Sequence, residues 1–95
     1  MTDTRKTVRV RIEGRVQGVG FRAWVERRAA RHCLDGWVRN RRDGGVEAVF
    51  AGPAAAVDAM VAECHHGPRS SSVAMVRVLD EPAAVSQGFT VGPTV

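Results

Sequence analysis

The stretch Gly14–Arg22 constrains this chain more than any other, because three glycines there separate a strand pattern from a helix pattern. Val8, Val10 and Ile12 alternate with charged residues before it, and an apolar stripe at helical spacing starts at Phe21. Glycine adopts backbone angles that other residues avoid, and it lets the main chain approach a ligand closely. The pattern therefore predicts a tight strand-to-helix connection whose N–H groups face an anion.

Arg22 falls in the first turn of the predicted helix, where its guanidinium can reach over this connection. Because a guanidinium binds phosphate oxygens in a fork, we interpret the stretch as a phosphate cradle with its own arginine. A glycine-rich connection that binds nothing is the alternative, and the glycines alone do not decide between the two. The stretch is not a P-loop, since no Lys-Ser or Lys-Thr pair follows the glycines, and it lacks the third glycine of a dinucleotide fingerprint.

The composition limits the partners and the compartment. The chain of 95 residues contains fourteen Lys and Arg residues, thirteen of them Arg, and ten Asp and Glu residues. Its net charge is therefore +4. This balance suits an anionic ligand, although a general preference for arginine across the proteome would produce the same excess. No apolar run approaches the roughly 20 residues of a membrane span. The first residues lack the apolar segment of a signal peptide, so we expect a cytoplasmic protein without a membrane partner.

The order of the predicted elements indicates the fold. Alternation, helical stripes and turn signals place strands at 7–13, 34–40, 46–51, 73–79 and 89–91, and a polar connection at 81–87. They place one helix at 21–33 and a second that starts at Gly52-Pro53 and is closed by Gly67-Pro68. This order predicts an α+β, ferredoxin-like βαββαβ sandwich, with an antiparallel sheet, two helices on one face and a short extra edge strand. We expect Pro53 at the first position of the second helix. Residues 1–6 are predicted to be a flexible N-terminus, and 7–95 a single domain.

The predicted topology brings two distant polar residues to one edge of the sheet. Strands 1 and 2 are joined through a helix, so they run in the same direction and their carboxyl ends lie at the same edge. Arg22 follows the first of these strands, and Asn40 ends the second. The Asn40 amide offers a donor and an acceptor beside the phosphate, which suits it to hold a water molecule. Asn is also common before hairpins, so a turn residue is the alternative interpretation.

Neither a metal site nor a disulfide is expected. Cys33 and Cys64 lack the CxxC spacing of zinc ligands, and His65 and His66 are neighbours without a third ligand. In the predicted fold the two helices run antiparallel, which would place the cysteines at opposite ends of the helix layer. We therefore expect two free thiols.

Two segments of the chain resemble the signatures of the acylphosphatase family. The first is Gly14-x-Val16-Gln17-Gly18-Val19-Gly20-Phe21-Arg22, and the second is Gly36-Trp37-Val38-Arg39-Asn40-x-x-x-Gly44-x-Val46, followed by Gly52. The resemblance spans residues 7–91, nearly the whole chain.

The resemblance implies a small metal-free hydrolase that splits acyl phosphates into a carboxylate and inorganic phosphate. It implies a monomer without a cofactor, whose partner is a small-molecule acyl phosphate and not a nucleic acid. By the same resemblance, Arg22 binds the phosphate and Asn40 orients the attacking water. The family's phosphate cradle corresponds to the backbone N–H groups of Val16, Gln17, Gly18, Val19, Gly20 and Phe21.

The end of the first helix departs from the family pattern, because His32-Cys33 stands where members usually carry a Leu-Gly pair. A left-handed residue that ends a helix costs about 1 kcal/mol when it is not glycine. His32 falls where the apolar stripe would next touch the core, so it is either buried or turned outward to cap the helix carbonyls. The departure concerns stability more than catalysis, since Arg22 lies at the other end of the helix.

Two other functions fit the same architecture. A nucleic-acid-binding module would stack bases on aromatic residues of the exposed sheet face, but strand 1 presents Arg9, Arg11 and Glu13 there, and the chain has no Tyr. A catalytically idle domain that senses a phosphorylated ligand or a protein partner has the same sequence features as an enzyme, and only a turnover measurement separates the two.

Overall fold

The structure, a computed structural model, describes residues 4–83 and 85–95. Its elements are β1 (Arg5–Arg15), α1 (Phe21–Arg31), β2 (Asp35–Asn40), β3 (Val46–Pro53), α2 (Ala54–Cys64), β4 (Ser72–Asp80) and β5 (Phe89–Val91). Residues 1–3 of the predicted flexible N-terminus and residue 84 of the predicted connection lie outside the described residues. The predicted order of elements and the short strand before the C-terminus are both present.

The strands form one sheet in the order β4-β1-β3-β2-β5. Both β1 and β2 pair antiparallel with β3, so β1 and β2 run in the same direction, as the helical connection between them predicts. The predicted antiparallel sheet and the short extra edge strand are both present, and the structure adds that β5 pairs parallel with β2. The chain returns to the sheet beside the start of β2, where the Asp35 carboxylate accepts a hydrogen bond of 2.8 Å from the Gly88 N–H. A strand that starts there and follows β2 must run parallel to it.

The alternation in β1 sorts its side chains onto two faces of the sheet. Val8, Val10 and Ile12 are at most 2% exposed and lie in the core. Each such burial stabilises the fold by roughly 1.5–3 kcal/mol. The core also takes apolar residues from both helices, including Phe21, Val25, Ala29, Val57, Met60 and Cys64. This packing places α1 against β2 and β5, and α2 against β1 and β3.

The end of α1 contains the departure from the family pattern. Cys33 has a φ of 56°, in the left-handed region that favours glycine. The Cys33 N–H donates to the Ala30 carbonyl at 3.0 Å, and the Leu34 N–H donates to the Ala29 carbonyl at 2.9 Å. These two bonds form a Schellman C-cap, so Cys33 adopts the backbone conformation that the usual glycine would have.

His32 connects the two helices. Its Nε2 lies 2.5 Å from Oε2 of Glu63, and Arg28 donates to Oε1 of the same carboxylate at 2.6 Å. His32 is half-buried, and it binds a side chain of α2 instead of capping the carbonyls of α1. The last turns of the two helices are therefore close enough for their side chains to bond. The two C-termini thus lie nearer to each other than the prediction of opposite ends of the helix layer implied.

Two further expectations meet different outcomes. Both cysteines are free, since Cys64 is buried in the core and Cys33 is exposed. Burial raises the pKa of the Cys64 thiol to about 12, which leaves it unreactive at neutral pH. Pro53 ends β3 and is the N-cap of α2, with φ −55° and ψ 134°, so the prediction that it occupies the first helical position is wrong.

Candidate active site

One cavity of about 610 Å³ lies between the loop after β1, the N-terminus of α1, the end of β2 and strand β5. Its lining residues are Val16, Gln17, Gly18, Gly20, Phe21, Arg22, Ala23, Glu26, Asn40, Phe89, Thr90 and Val91. Arg22 and Asn40, separated by eighteen positions in the sequence, thus line the same cavity. Val19 does not line it: its side chain packs against the core, and its carbonyl accepts a hydrogen bond of 2.9 Å from the Ser70 hydroxyl.

The three glycines of the loop are required for different reasons. Gly18 and Gly20 have φ values of 72° and 76°, and a Cβ on either would meet nothing within 4 Å. Their backbone conformation, and not crowding, therefore favours glycine. Gly14 lies at the end of β1, where a Cβ would come within 2.3 Å of the Ser72 carbonyl oxygen. It allows β1 and β4 to approach closely and leaves the loop to turn into the cavity.

The left-handed Gly20 is the N-cap of α1. Among residues 4–83 and 85–95 no side chain caps this helix end, and its first turn contains no acidic residue. The first N–H groups of a helix have no intrahelical acceptor, and the helix dipole makes this end partly positive. The backbone at this helix end therefore contributes donors and positive potential to the cavity.

Arg22 is half-buried, and its Nη1 donates to the Gly92 carbonyl at 3.1 Å. This contact comes from the segment after β5, which continues along β2: the Gly92 N–H donates to the Val38 carbonyl at 2.8 Å. None of the ion pairs between residues of the described chain includes Arg22. Its positive charge is thus held in place by a neutral carbonyl and remains available to an anion.

The side chain of Asn40 has an amide oxygen without a hydrogen-bond partner in the described chain. This atom, Oδ1, is buried. An unsatisfied buried acceptor costs about 1–3 kcal/mol, so such an atom points to a ligand or a bound water. The turn after β2 is instead stabilised by Asp43, whose carboxylate accepts from the Gly45 N–H at 3.1 Å. The geometry therefore favours a role in the cavity over a role in the turn.

Gln17 has a side-chain contact that the sequence did not indicate. Its Nε2 donates to the carbonyls of Arg41 and Gly45, at 2.6 and 2.8 Å. The loop between β1 and α1 is thereby joined to the hairpin that begins directly after Asn40. Both acceptors are backbone atoms more than twenty positions away, and no residue type in the sequence marks them. The sequence indicated Gln17 only as one of the backbone N–H donors beside the glycines, and it indicated no role for its side chain.

The arginines of the exposed sheet face are occupied by carboxylates. Glu47, only 5% exposed, accepts hydrogen bonds from Arg9, Arg39 and Arg41 at 2.7, 2.8 and 3.4 Å. Burial raises the pKa of Glu47, but the bonds from Arg9 and Arg39 outweigh it and hold that pKa below its usual value. The Arg39 guanidinium lies 4.5 Å from the centre of the Trp37 ring. On this face the three arginines are thus paired within the chain, and Arg39 covers one side of the Trp37 ring.

The structure also bears on metals and membranes. Between residues 4 and 95, residue 84 excepted, no three or more His, Cys, Asp or Glu side chains are grouped as metal ligands. No helix in the same part of the chain is long and apolar enough to cross a membrane.

Known proteins match this chain over most of its length. A family model described as acylphosphatase matches residues 8–91. The acylphosphatase of Rhizorhabdus wittichii is 55% identical over 87 residues, which are 92% of this chain and 88% of the relative. The acylphosphatase structure from Coxiella burnetii matches with a TM-score of 0.87 and 30% identity over 93% of both chains. The one from Bacillus subtilis has a TM-score of 0.85 and 35% identity, over 94% of this chain and 99% of that chain.

Proposed function

The chain belongs to the acylphosphatase family, and from this premise we propose that Arg22 and the loop hold the phosphoryl group while Asn40 holds the attacking water. The observation that carries the proposal is the buried, unpartnered Oδ1 of Asn40, in a residue that lines the same cavity as Arg22. A charged donor for an anion and a neutral acceptor for a water are the two groups that this reaction needs.

The phosphoryl group binds at the N-terminus of α1. The backbone N–H groups of residues 16–21 donate to its oxygens, and the helix dipole favours their negative charge. Arg22 adds a charge-assisted hydrogen bond from a guanidinium already oriented by the Gly92 carbonyl. Because these donors are fixed before the substrate arrives, they need no reorganisation as charge grows on the phosphoryl oxygens in the transition state.

Asn40 positions the nucleophile. Its Oδ1 accepts a hydrogen bond from a water molecule and so directs a lone pair of the water oxygen at phosphorus. The new bond forms between this oxygen and phosphorus while the bond from phosphorus to the acyl oxygen breaks, roughly in line. Asn40 takes no proton, so the proton lost by the water passes to the product phosphate or to solvent.

The leaving group needs no general acid. It departs as a carboxylate, whose conjugate acid has a low pKa, and it carries away the electron pair of the broken bond. Positioning and electrostatic stabilisation then account for the catalysis. This fits a cavity with one arginine, one asparagine and backbone donors at its phosphate end.

Hydrolysis of benzoyl phosphate by the purified protein tests the proposal, with release of benzoate and phosphate as the expected result. Turnover should be unchanged by a chelator, because the proposed chemistry uses no metal and no cofactor. Tight binding of phosphate without turnover would contradict the proposal and favour the domain that only senses a phosphorylated ligand.

The proposal extends to partners and location. The substrate is a small-molecule acyl phosphate, the protein acts as a monomer in the cytoplasm, and it has neither a nucleic-acid nor a membrane partner. A monomeric mass in solution at working concentration is the expected measurement.

A further inference from the structure

The cavity is larger than a phosphoryl group requires. A phosphoryl group with its four oxygens occupies roughly the space of four waters, about 120 Å³, whereas the cavity measures about 610 Å³. The loop after β1, Arg22 and Asn40 supply part of its lining. The remaining space has the size of a subsite for the rest of a small substrate.

The other lining residues of the cavity come from two elements. Ala23 and Glu26 line it from α1, and Phe89, Thr90 and Val91 line it from β5. The Phe89 ring stacks on the buried Phe50 with 5.7 Å between ring centres, so this wall is fixed by the core. The β5 side thus offers apolar surface and a hydroxyl but no charge.

Glu26 is the one carboxylate among the residues that line the cavity. It lies four positions after Arg22, and residues at this spacing lie one turn apart on the same face of a helix, about 5–6 Å between their Cβ atoms. No ion pair within the described part of the chain includes Glu26, so its charge is not paired with Arg22. Along α1 the cavity therefore passes from a positive end to a negative one.

We propose that the space between α1 and β5 binds the acyl group and that Glu26 selects it by charge. Neutral and cationic acyl groups are favoured, and acyl groups with a second carboxylate are disfavoured. The inference rests on the proposed function, since it takes the phosphoryl group to occupy the end with Arg22. At contact distance in water a pair of unit charges changes an equilibrium by about three- to fivefold, which sets the size of the expected effect.

Three rigid substrates test the charge selection. They have the same structure near the reacting bond and differ only at the para position of the ring. These are benzoyl phosphate, benzoyl phosphate with a para carboxylate, and benzoyl phosphate with a para trimethylammonium group. The measured quantity is kcat/KM for each charged substrate divided by kcat/KM for benzoyl phosphate. Comparing this ratio between variants cancels the intrinsic reactivity of each leaving group.

Glu26→Gln should raise the ratio for the carboxylate substrate by about three- to fivefold, and Glu26→Lys by about tenfold or more. Both variants should lower the ratio for the trimethylammonium substrate. Glu81→Gln is the matched control, because it makes the same change in net charge at an exposed residue outside this cavity. Circular dichroism confirms that each variant is folded, as expected for exposed positions.

Ratios that stay unchanged in both Glu26 variants, while the wild type turns over the substrates, would overturn this inference and leave the proposed function intact. Ratios that shift equally in Glu81→Gln would also overturn it, since the effect would then come from net charge. If the wild type hydrolysed none of the three substrates, the proposed function would be overturned, and the inference with it.

Discussion

At the scale of single residues, the cavity combines side chains of different chemistry at one edge of the sheet. Arg22 has a permanent charge and keeps one donor on the Gly92 carbonyl. Asn40 is neutral, and its Oδ1 is a buried acceptor without a partner in the described chain. These properties suit one residue to a phosphate and the other to a water, so their substitutions should have different kinetic effects.

Arg22→Ala should depress kcat/KM with benzoyl phosphate by at least about 100-fold and should also raise the inhibition constant of inorganic phosphate, because the lost donor contacts the anion in both states. Asn40→Ala should lower kcat and kcat/KM together by about 100-fold and leave phosphate inhibition nearly unchanged, as for an interaction made mainly in the transition state. Steady-state kinetics with a phosphate inhibition series measures both.

Arg31→Ala, an exposed position at the other end of α1, is the control for loss of a positive charge. It should leave these constants within about twofold, in line with screening at the surface. If Asn40→Ala lost phosphate affinity and kept its kcat, the roles assigned to the two residues would be wrong.

Gln17 should act as a positioning residue through its two bonds to the hairpin. In Gln17→Glu the donor is replaced by a carboxylate oxygen that faces two carbonyl oxygens and is repelled by them. We expect kcat to fall by about 10- to 100-fold, because the loop and Asn40 are then no longer held in the correct relative position. Gln17→Ala should destabilise the fold by about 1–3 kcal/mol, the net value of two hydrogen bonds. Urea unfolding and steady-state kinetics on both variants measure these effects.

The same exchange at Gln87, an exposed residue before β5, should change neither property by more than the error of the measurement. A loss of stability in Gln17→Glu with an unchanged kcat would show that the bonds only stabilise the hairpin and do not position the site.

At the scale of elements, α1 has a left-handed residue at each end. Gly20 begins the helix with a φ of 76° and leaves its first N–H groups to the cavity. Cys33 ends it with a φ of 56°, and the Schellman bonds hold it there despite its side chain. The first end serves the site, whereas the second affects only the stability of the element that carries the site.

Cys33→Gly should raise the free energy of unfolding by about 1 kcal/mol, because glycine adopts this backbone conformation without strain. Ala30→Gly, in the last turn of the same helix, is the control and should lower the free energy of unfolding by about 1 kcal/mol. Urea denaturation of the three proteins measures both changes. A destabilised Cys33→Gly would mean that Cys33 makes contacts worth more than its backbone strain.

At the scale of the whole molecule, the charged network determines the response to acid. In the part of the chain that the structure describes, four carboxyl groups have a pKa below the usual range, namely Asp43, Glu47, Glu63 and Asp80. A carboxyl group with a lowered pKa in the folded state stabilises the fold above its unfolded pKa of about 4 and loses this contribution as the pH falls through the folded value. The molecule should therefore lose stability on acidification.

Glu47→Gln tests this sign. At pH 7 it should lower the free energy of unfolding by about 1–3 kcal/mol, since Arg9 and Arg39 lose a buried partner. As the pH falls from 7 towards 2, the difference from wild type should shrink, because the wild-type carboxylate is then protonated as well. Urea unfolding at several pH values measures the difference, and a constant difference would show that Glu47 acts by packing alone.

Activity should depend on pH much less than stability does. In the proposed chemistry no side chain transfers a proton, so turnover of benzoyl phosphate should change little between about pH 5 and 8, where histidines ordinarily titrate. His32, His65 and His66 are not among the residues that line the cavity. Their joint replacement by Gln should leave turnover within a few-fold in a folded protein, and a hundredfold loss would reveal a general acid or base.

The sequence by itself determined the order of the elements and the meeting of Arg22 with Asn40. Alternation, glycine positions and turn residues are local signals, and the rule for strands joined through a helix then places two carboxyl ends at one edge. Only the tertiary structure decided the two carbonyls that accept from Gln17, the Gly92 carbonyl that accepts from Arg22, and the lack of a partner in the described chain for the Asn40 Oδ1. It also decided that β5 runs parallel to β2. These contacts join residues far apart in the chain, often through backbone atoms. Contacts of this kind leave no pattern in the sequence.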